Sequence, residues 1–146
     1  MGVKRTSTDA IFSDLIREAA NWHCQAWGVP VLNGGDWTTD CDGPMECAHI
    51  HTRRIKILRH DPDNALCLCS RHHRWFSDHP AMWGDFVKEI KGPERIEGLM
   101  EKRQTIKVPS VEKEIRAHYR AELNRIRELR EQGEKGVIQI EPWVYT

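Results

Sequence analysis

The feature that most restricts this chain is a crowding of cysteine and histidine into its middle. Six of its eight histidines lie between His49 and His79, and Cys47, Cys67 and Cys69 fall in or beside the same stretch. The five cysteines (Cys24, Cys41, Cys47, Cys67, Cys69) are an odd number, which argues against a disulfide framework and for thiols that bind metal. The start Met1-Gly2-Val3-Lys4-Arg5-Thr6 is basic with no apolar run behind it, unlike a signal peptide, and no stretch approaches membrane-spanning length. With 146 residues, 30% of them charged, the expectation is one compact domain with appendages.

Local patterns supply the elements. Ile11, Phe12, Leu15, Ile16, Ala19 and Ala20 recur at helical spacing, predicting a core-covering helix over 8–21, capped by Thr8 or Ser7. Residues 28–42 are rich in turn formers and read as a loop. A short strand is expected around Met45–Ile50, a turn at Asp61-Pro62-Asp63-Asn64, and a second strand at Ala65–Cys69, followed by a helix from Ser70 through Phe76. Met82, Trp83, Phe86, Val87 and Ile90 form another helical stripe, ended by Gly92-Pro93. A short helix over Glu94–Gln104 and a long one from Val111 to about Gln132, capped by Ser110, complete the helices. Val137–Ile140 reads as a terminal strand. The organisation expected is thus a helix over 1–21, a core over 22–92, and a helical extension over 93–146.

Cys69-Ser70-Arg71-His72 places a thiolate and an imidazole at a strand-to-helix turn, a spacing that brings both onto one metal. Cys24 is the third candidate ligand and Cys41 the fourth, ahead of Cys47. The ion would be a structural Zn²⁺ that closes a loop-rich middle. The alternative, plain core thiols at Cys67 and Cys69, weighs less.

A second constellation is His49, Asn64 and His73. A neutral His49 could take a proton from a water that attacks phosphorus, and His73 could hold a divalent cation such as Mg²⁺. The Asn64 amide could bond the backbone or fix the His49 tautomer. Net charge is zero, yet six basic residues face two acidic ones between His51 and Trp75. Arg53, Arg54 and Arg59 are the candidate phosphate contacts. Alone, His49 would read as a structural histidine; beside Asn64, the paired histidines and the arginines, it reads as catalytic. Asp61 and Asp63 are candidate partners of His73 for the cation. His60 and His118 are taken as surface residues, and Trp75, Phe76, Trp83 and Phe86 as core.

The stretch Glu46-Cys47-Ala48-His49-Ile50-His51-Thr52-Arg53-Arg54, with Arg59 through His73 after it, resembles the HNH endonucleases, most of all their small phage-encoded members. Fourteen residues separate His49 from Asn64 and eight separate Asn64 from His73, as suits that family. The resemblance implies an α+β fold, a small ββα-metal finger with structural zinc flanked by N- and C-terminal helices. It also implies hydrolysis or nicking of DNA by His49, Asn64 and His73; the absence of a targeting segment favours the cytoplasm, here of a bacterial or phage-infected cell. Two positions depart from the pattern: Trp27 stands where a second cysteine is common, and Ala48 where an acidic or histidine metal ligand is common. A zinc-stabilised DNA-binding module without catalysis and a branched-DNA recombination nuclease are the alternatives. The long helix carries an Ile115–Leu129 seam through which a dimer is conceivable, while five glutamates almost balance its six basic residues.

Overall fold

A computed structural model describes residues 3–27 and 41–145. The turn-rich segment expected over 28–42 therefore lies almost wholly outside the described residues.

Helix α1 (Ser7–Ala19) begins with a reciprocal capping box. The Asp9 N–H donates to Thr6 Oγ1 at 3.2 Å, and the Thr6 N–H donates to Asp9 Oδ2 at 2.8 Å. The cap is therefore Thr6, one residue before the expected pair: Ser7 is already helical, and Thr8 is fully buried. Ile11, Phe12, Leu15, Ile16 and Ala19 line the buried face. Past the helix, Asn21 and Trp22 both adopt left-handed φ values of 56° and 58°, reversing the chain toward the sheet. Gln25 then seats on the sheet edge, its N–H donating to the Cys67 carbonyl at 2.8 Å while its Oε1 accepts from the Cys67 N–H at 2.9 Å.

Strands β1 (Met45–His49) and β2 (Ala65–Cys69) pair antiparallel, Met45 opposite Cys69 and His49 opposite Ala65. Every β2 residue is buried. Ala65 and Cys67 join a core with α1 and the helix near the C-terminus that carries Ile115, Tyr119, Leu123 and Ile126, while Leu66 and Leu68 join another with Phe76, Phe86 and Val87. A strand covered on both faces needs the unbroken apolar run seen in the sequence.

Helix α2 (Ser70–Asp78) follows without a linker, Cys69 acting as its N-cap. The N–H groups of Ser70 and Arg71 donate to the carbonyls of Pro44 (2.9 Å) and Asp42 (3.2 Å), so residues 42–44 cover the helix start. Gly43 makes this approach possible: with φ +81°, a Cβ there would lie 1.9 Å from Ser70 Oγ. Helices α3 (Pro80–Lys91) and α4 (Pro93–Arg103) are separated by Gly92 at φ +85°. Trp75 and Trp83 pack beside buried Phe76 and Phe86, as expected of core aromatics.

Helix α5 (Glu112–Glu131) starts after Val111 with no side-chain cap, so Ser110 does not cap it. Its seam residues Ile115, Tyr119, Leu123 and Ile126 are buried in the core shared with α1, so the seam packs against α1 of the same chain. Arg130 strengthens this pairing by donating to the Glu18 and Ala19 carbonyls at the end of α1. Val137–Ile140 is not a strand. Its segment is held by helices, with the Ile138 N–H donating to the Ala19 carbonyl (2.9 Å) and the Gln139 carbonyl accepting from Arg125 (2.8 Å). Among the described residues no helix is long and apolar enough to cross a membrane.

Candidate metal centre and histidine cleft

The capped start of α2 and the reversal after α1 bring four ligand side chains together. One donor atom from each of Cys24, Cys41, Cys69 and His72 lies within 4.8 Å of all the others. The His72 Nδ1 is 3.4 Å from the Cys24 sulfur, 3.7 Å from that of Cys41 and 3.1 Å from that of Cys69. Tetrahedral zinc with ordinary Zn–S and Zn–N bonds would set these edges at about 3.6 Å. Burial pushes the Cys24 thiol up; burial, with the Cys24 and Cys69 thiolates beside it, pushes Cys41 up to about 12. Burial also acts on Cys69, but N–H groups of His72 and Asp42 aimed at its sulfur outweigh it and lower that thiol. Three crowded sulfurs that resist joint ionisation, beside one buried imidazole, are a donor set completed by a cation. The four residues could thus hold a metal such as zinc. Cys47 is elsewhere, opposite Cys67 across the sheet and against the α1–α5 core. Trp27 is 71% exposed and takes no part.

The histidine pair meets in a different place. His49 closes β1, His73 lies in the second turn of α2, and both line one open cleft of about 410 Å³ together with Asp9, Thr52 and Arg53. A somewhat larger hollow, about 450 Å³, lies between α4 and the C-terminal segment, where Lys102 pairs with Asp61 and His60 with Asp9. The histidine cleft is the better chemical site.

The His49 Nε2–H donates to the Arg59 carbonyl at 3.2 Å, which leaves Nδ1 with the free lone pair. Burial is the main reason its pKa falls to about 4; Arg53 and His60 push the same way, opposed by the Arg59 carbonyl and Asp9. Burial lowers His51 and His60 as well. His60, expected at the surface, instead keeps only 11% of its side chain exposed, under Phe12 and against Asp9. His118 is half-buried, bonded to the Glu141 carbonyl at 2.7 Å.

These depressed values carry a sign. Folded His49 stays neutral down to about 4, whereas the unfolded chain protonates near 6.5, so acid favours unfolding. Stability is expected to fall as pH drops from about 6.5 toward 4, and His49→Gln to shallow that slope. Urea midpoints at several pH values measure it; a flat profile in the wild type, or an unchanged slope in the variant, would contradict it.

Asn64 is fully buried, and its side chain bonds the backbone rather than the His49 ring. Its Oδ1 accepts from the His51 N–H (2.7 Å), and its Nδ2 donates to the carbonyls of His51 and Leu58 (3.0 Å each). It braces the loop between the strands, the backbone option of the two raised for it. Of the arginines, Arg53 lines the cleft and Arg54 is exposed on the loop. Arg59 is engaged inward, its Nε 2.9 Å and Nη2 2.5 Å from the carboxylate of Asp9.

The carboxylate beside His73 is neither Asp61 nor Asp63. Asp61 is buried and accepts from Lys102 at 2.6 Å, and Asp63 faces Arg95 at 3.9 Å. Glu46 is the one in place, its Oε1 3.0 Å from His73 Nδ1. Sequence reasoning passed over Glu46 and Asp9. Asp9 had the signature of a helix cap alone, and Glu46 stands three residues from His49 with no spacing rule to mark it.

A family model of the HNH endonucleases matches residues 24–80, from the first cysteine of the cluster through both strands and α2. No curated protein and no solved structure matches the chain.

Proposed function

Residues 24–80 belong to the HNH endonuclease family, and on that premise we propose that the chain is a metal-dependent DNA endonuclease working in the cleft between His49 and His73. The observation that carries the proposal is that both imidazoles line one cleft with Arg53, while His49 is neutral and has one ring nitrogen committed to the Arg59 carbonyl.

His49 Nδ1 takes a proton from water as the water oxygen forms its bond to phosphorus. The bond from phosphorus to the leaving oxygen breaks, and that oxygen collects a proton from solvent. Arg53 and Arg54 hold the phosphodiester. Asn64 and the Arg59 carbonyl keep loop and base in place. His73 would hold a divalent cation such as Mg²⁺, which when bound would supply positive charge to the scissile phosphate and leaving oxygen. Glu46, hydrogen-bonded to Nδ1 of His73, fixes the ring so that Nε2 is the nitrogen available for that ion. The Cys24, Cys41, Cys69, His72 cluster would hold a structural Zn²⁺, which would tie β2 and α2 to the turn after α1.

Supercoiled plasmid incubated with the zinc-loaded protein and Mg²⁺, Mn²⁺ or Ni²⁺ should convert to nicked or linear forms, and chelation of the added cation should stop this. Salt-sensitive DNA binding with no cleavage under any cation would replace the proposal with a non-catalytic DNA-binding module.

A further inference from the structure

The neutral tautomer of His49 depends on a carbonyl of the loop between the strands, and that loop contains no regular secondary structure apart from one 3-10 turn at Pro62–Asn64. Something must hold the Arg59 carbonyl where it is. The side chains of the same loop identify it. Arg59 meets Asp9 with two nitrogens, at 2.9 and 2.5 Å; His60 Nε2 meets Asp9 Oδ1 at 2.8 Å; and Arg53 Nη1 approaches Oδ2 from the cleft side at 3.6 Å. Three side chains of one loop converge on a single carboxylate that is only 6% exposed.

That carboxylate is itself immobile. It is the third residue of α1, locked by the Thr6 N–H at 2.8 Å, and α1 is packed along α5. From α5, Tyr119 adds a second hold on the same loop, its hydroxyl donating to the His60 carbonyl at 2.5 Å. Burial alone would raise the Asp9 pKa, but Arg59, the Thr6 N–H and His60 outweigh it and keep the group ionised far below the usual carboxylate range. Both oxygens are already committed, Oδ1 to Arg59 and His60 and Oδ2 to Arg59 and Thr6, so Asp9 has the bonding pattern of a brace rather than of a metal ligand.

We propose that Asp9 is a positioning residue for the nuclease reaction: through Arg59 it sets the carbonyl that holds His49 in the Nε2–H form. Asp9 lies outside residues 24–80, so α1 is a working part of the active site as well as a cover for the core. The inference rests on His49 being the general base.

The test uses the full zinc-loaded chain and two variants, Asp9→Asn and Thr6→Ala. Asp9→Asn keeps the size of the side chain and an acceptor for the Thr6 N–H but removes the charge that grips Arg59. Thr6→Ala removes the capping hydroxyl and leaves that grip in place. Long-range ¹⁵N–¹H NMR of the His49 ring reads the tautomer directly, and plasmid nicking gives kcat and KM. In Asp9→Asn the ring should populate both tautomers, and kcat should fall on the order of 10²-fold, the scale of a reacting group displaced by about 1 Å, with KM nearly unchanged. Thr6→Ala should lower the melting temperature and leave tautomer and kcat at wild-type values. If Asp9→Asn keeps the wild-type tautomer and kcat, or Thr6→Ala damages both equally, Asp9 is a helix cap only and the proposal is overturned. Should Asp9→Asn fail to fold, Arg59→Gln breaks the same contact from the other side and is held to the same outcomes. A wild type that cuts no DNA would refute the nuclease reading, while the tautomer comparison would still decide what Asp9 does.

Discussion

His49→Ala is expected to slow plasmid nicking by about 10²–10⁴-fold, the range for loss of a general base. The folded protein should persist. His49 sits at the rim of the α1 core, its ring 6.1 Å from that of Phe12 and bonded to the Arg59 carbonyl. Removing that donor should cost about 1–3 kcal/mol, well short of unfolding the chain. His73→Ala should also cripple cleavage, but by a different route: activity should recover in part as the cation concentration is raised, because a holder of the ion has been lost rather than the base. His49→Ala should show no such recovery. Circular dichroism confirms the fold, and cation titrations of the nicking rate separate the two roles. Equal cleavage by wild type and His49→Ala would remove His49 from the mechanism.

The second large effect belongs to Cys69. This residue ends β2, accepts the His72 N–H at 3.4 Å as the N-cap of α2, and places its sulfur in the four-residue cluster. The wild type should carry about one zinc per chain by elemental analysis, and Cys69→Ala should carry nearly none. The stability loss should exceed about 4 kcal/mol, a size reached when a structural metal goes. Cys67→Ala is the matched control, since Cys67 is equally buried in the same strand but outside the cluster. It should keep its zinc and lose far less. A Cys69→Ala protein that retains a full equivalent of zinc and the wild-type melting temperature would show that the cluster is not a metal site.

Which parts of this were readable beforehand follows a physical line. Both strands, α2, α3 and α4 appear within a few residues of their expected ends, because apolar periodicity and glycine or proline stops act within one or two turns of chain. Two capping expectations failed: Thr6 outbids Ser7 and Thr8 because Asp9 completes its box, and Ser110 stays outside α5. The Val137–Ile140 strand failed for a longer-range reason. A short run rich in β-branched residues suggests a strand but is silent on whether its N–H groups will meet a strand or, as here for Ile138, the end of α1.

The same division runs through the site. By itself the sequence determined the ββα order, the thiolate–imidazole pair at Cys69 and His72, and the presence of His49, Asn64 and His73 on those elements, since each of these depends on spacing along the chain. Only the tertiary structure decided that Cys41 rather than Cys47 stands beside Cys24, that Arg59 turns inward to Asp9, that Asn64 braces a loop, and that Glu46 meets His73. A polar side chain takes whichever partner packing brings within about 3 Å, and across 30 or 50 residues of sequence that partner is chosen by how α1, α5 and the sheet share their core.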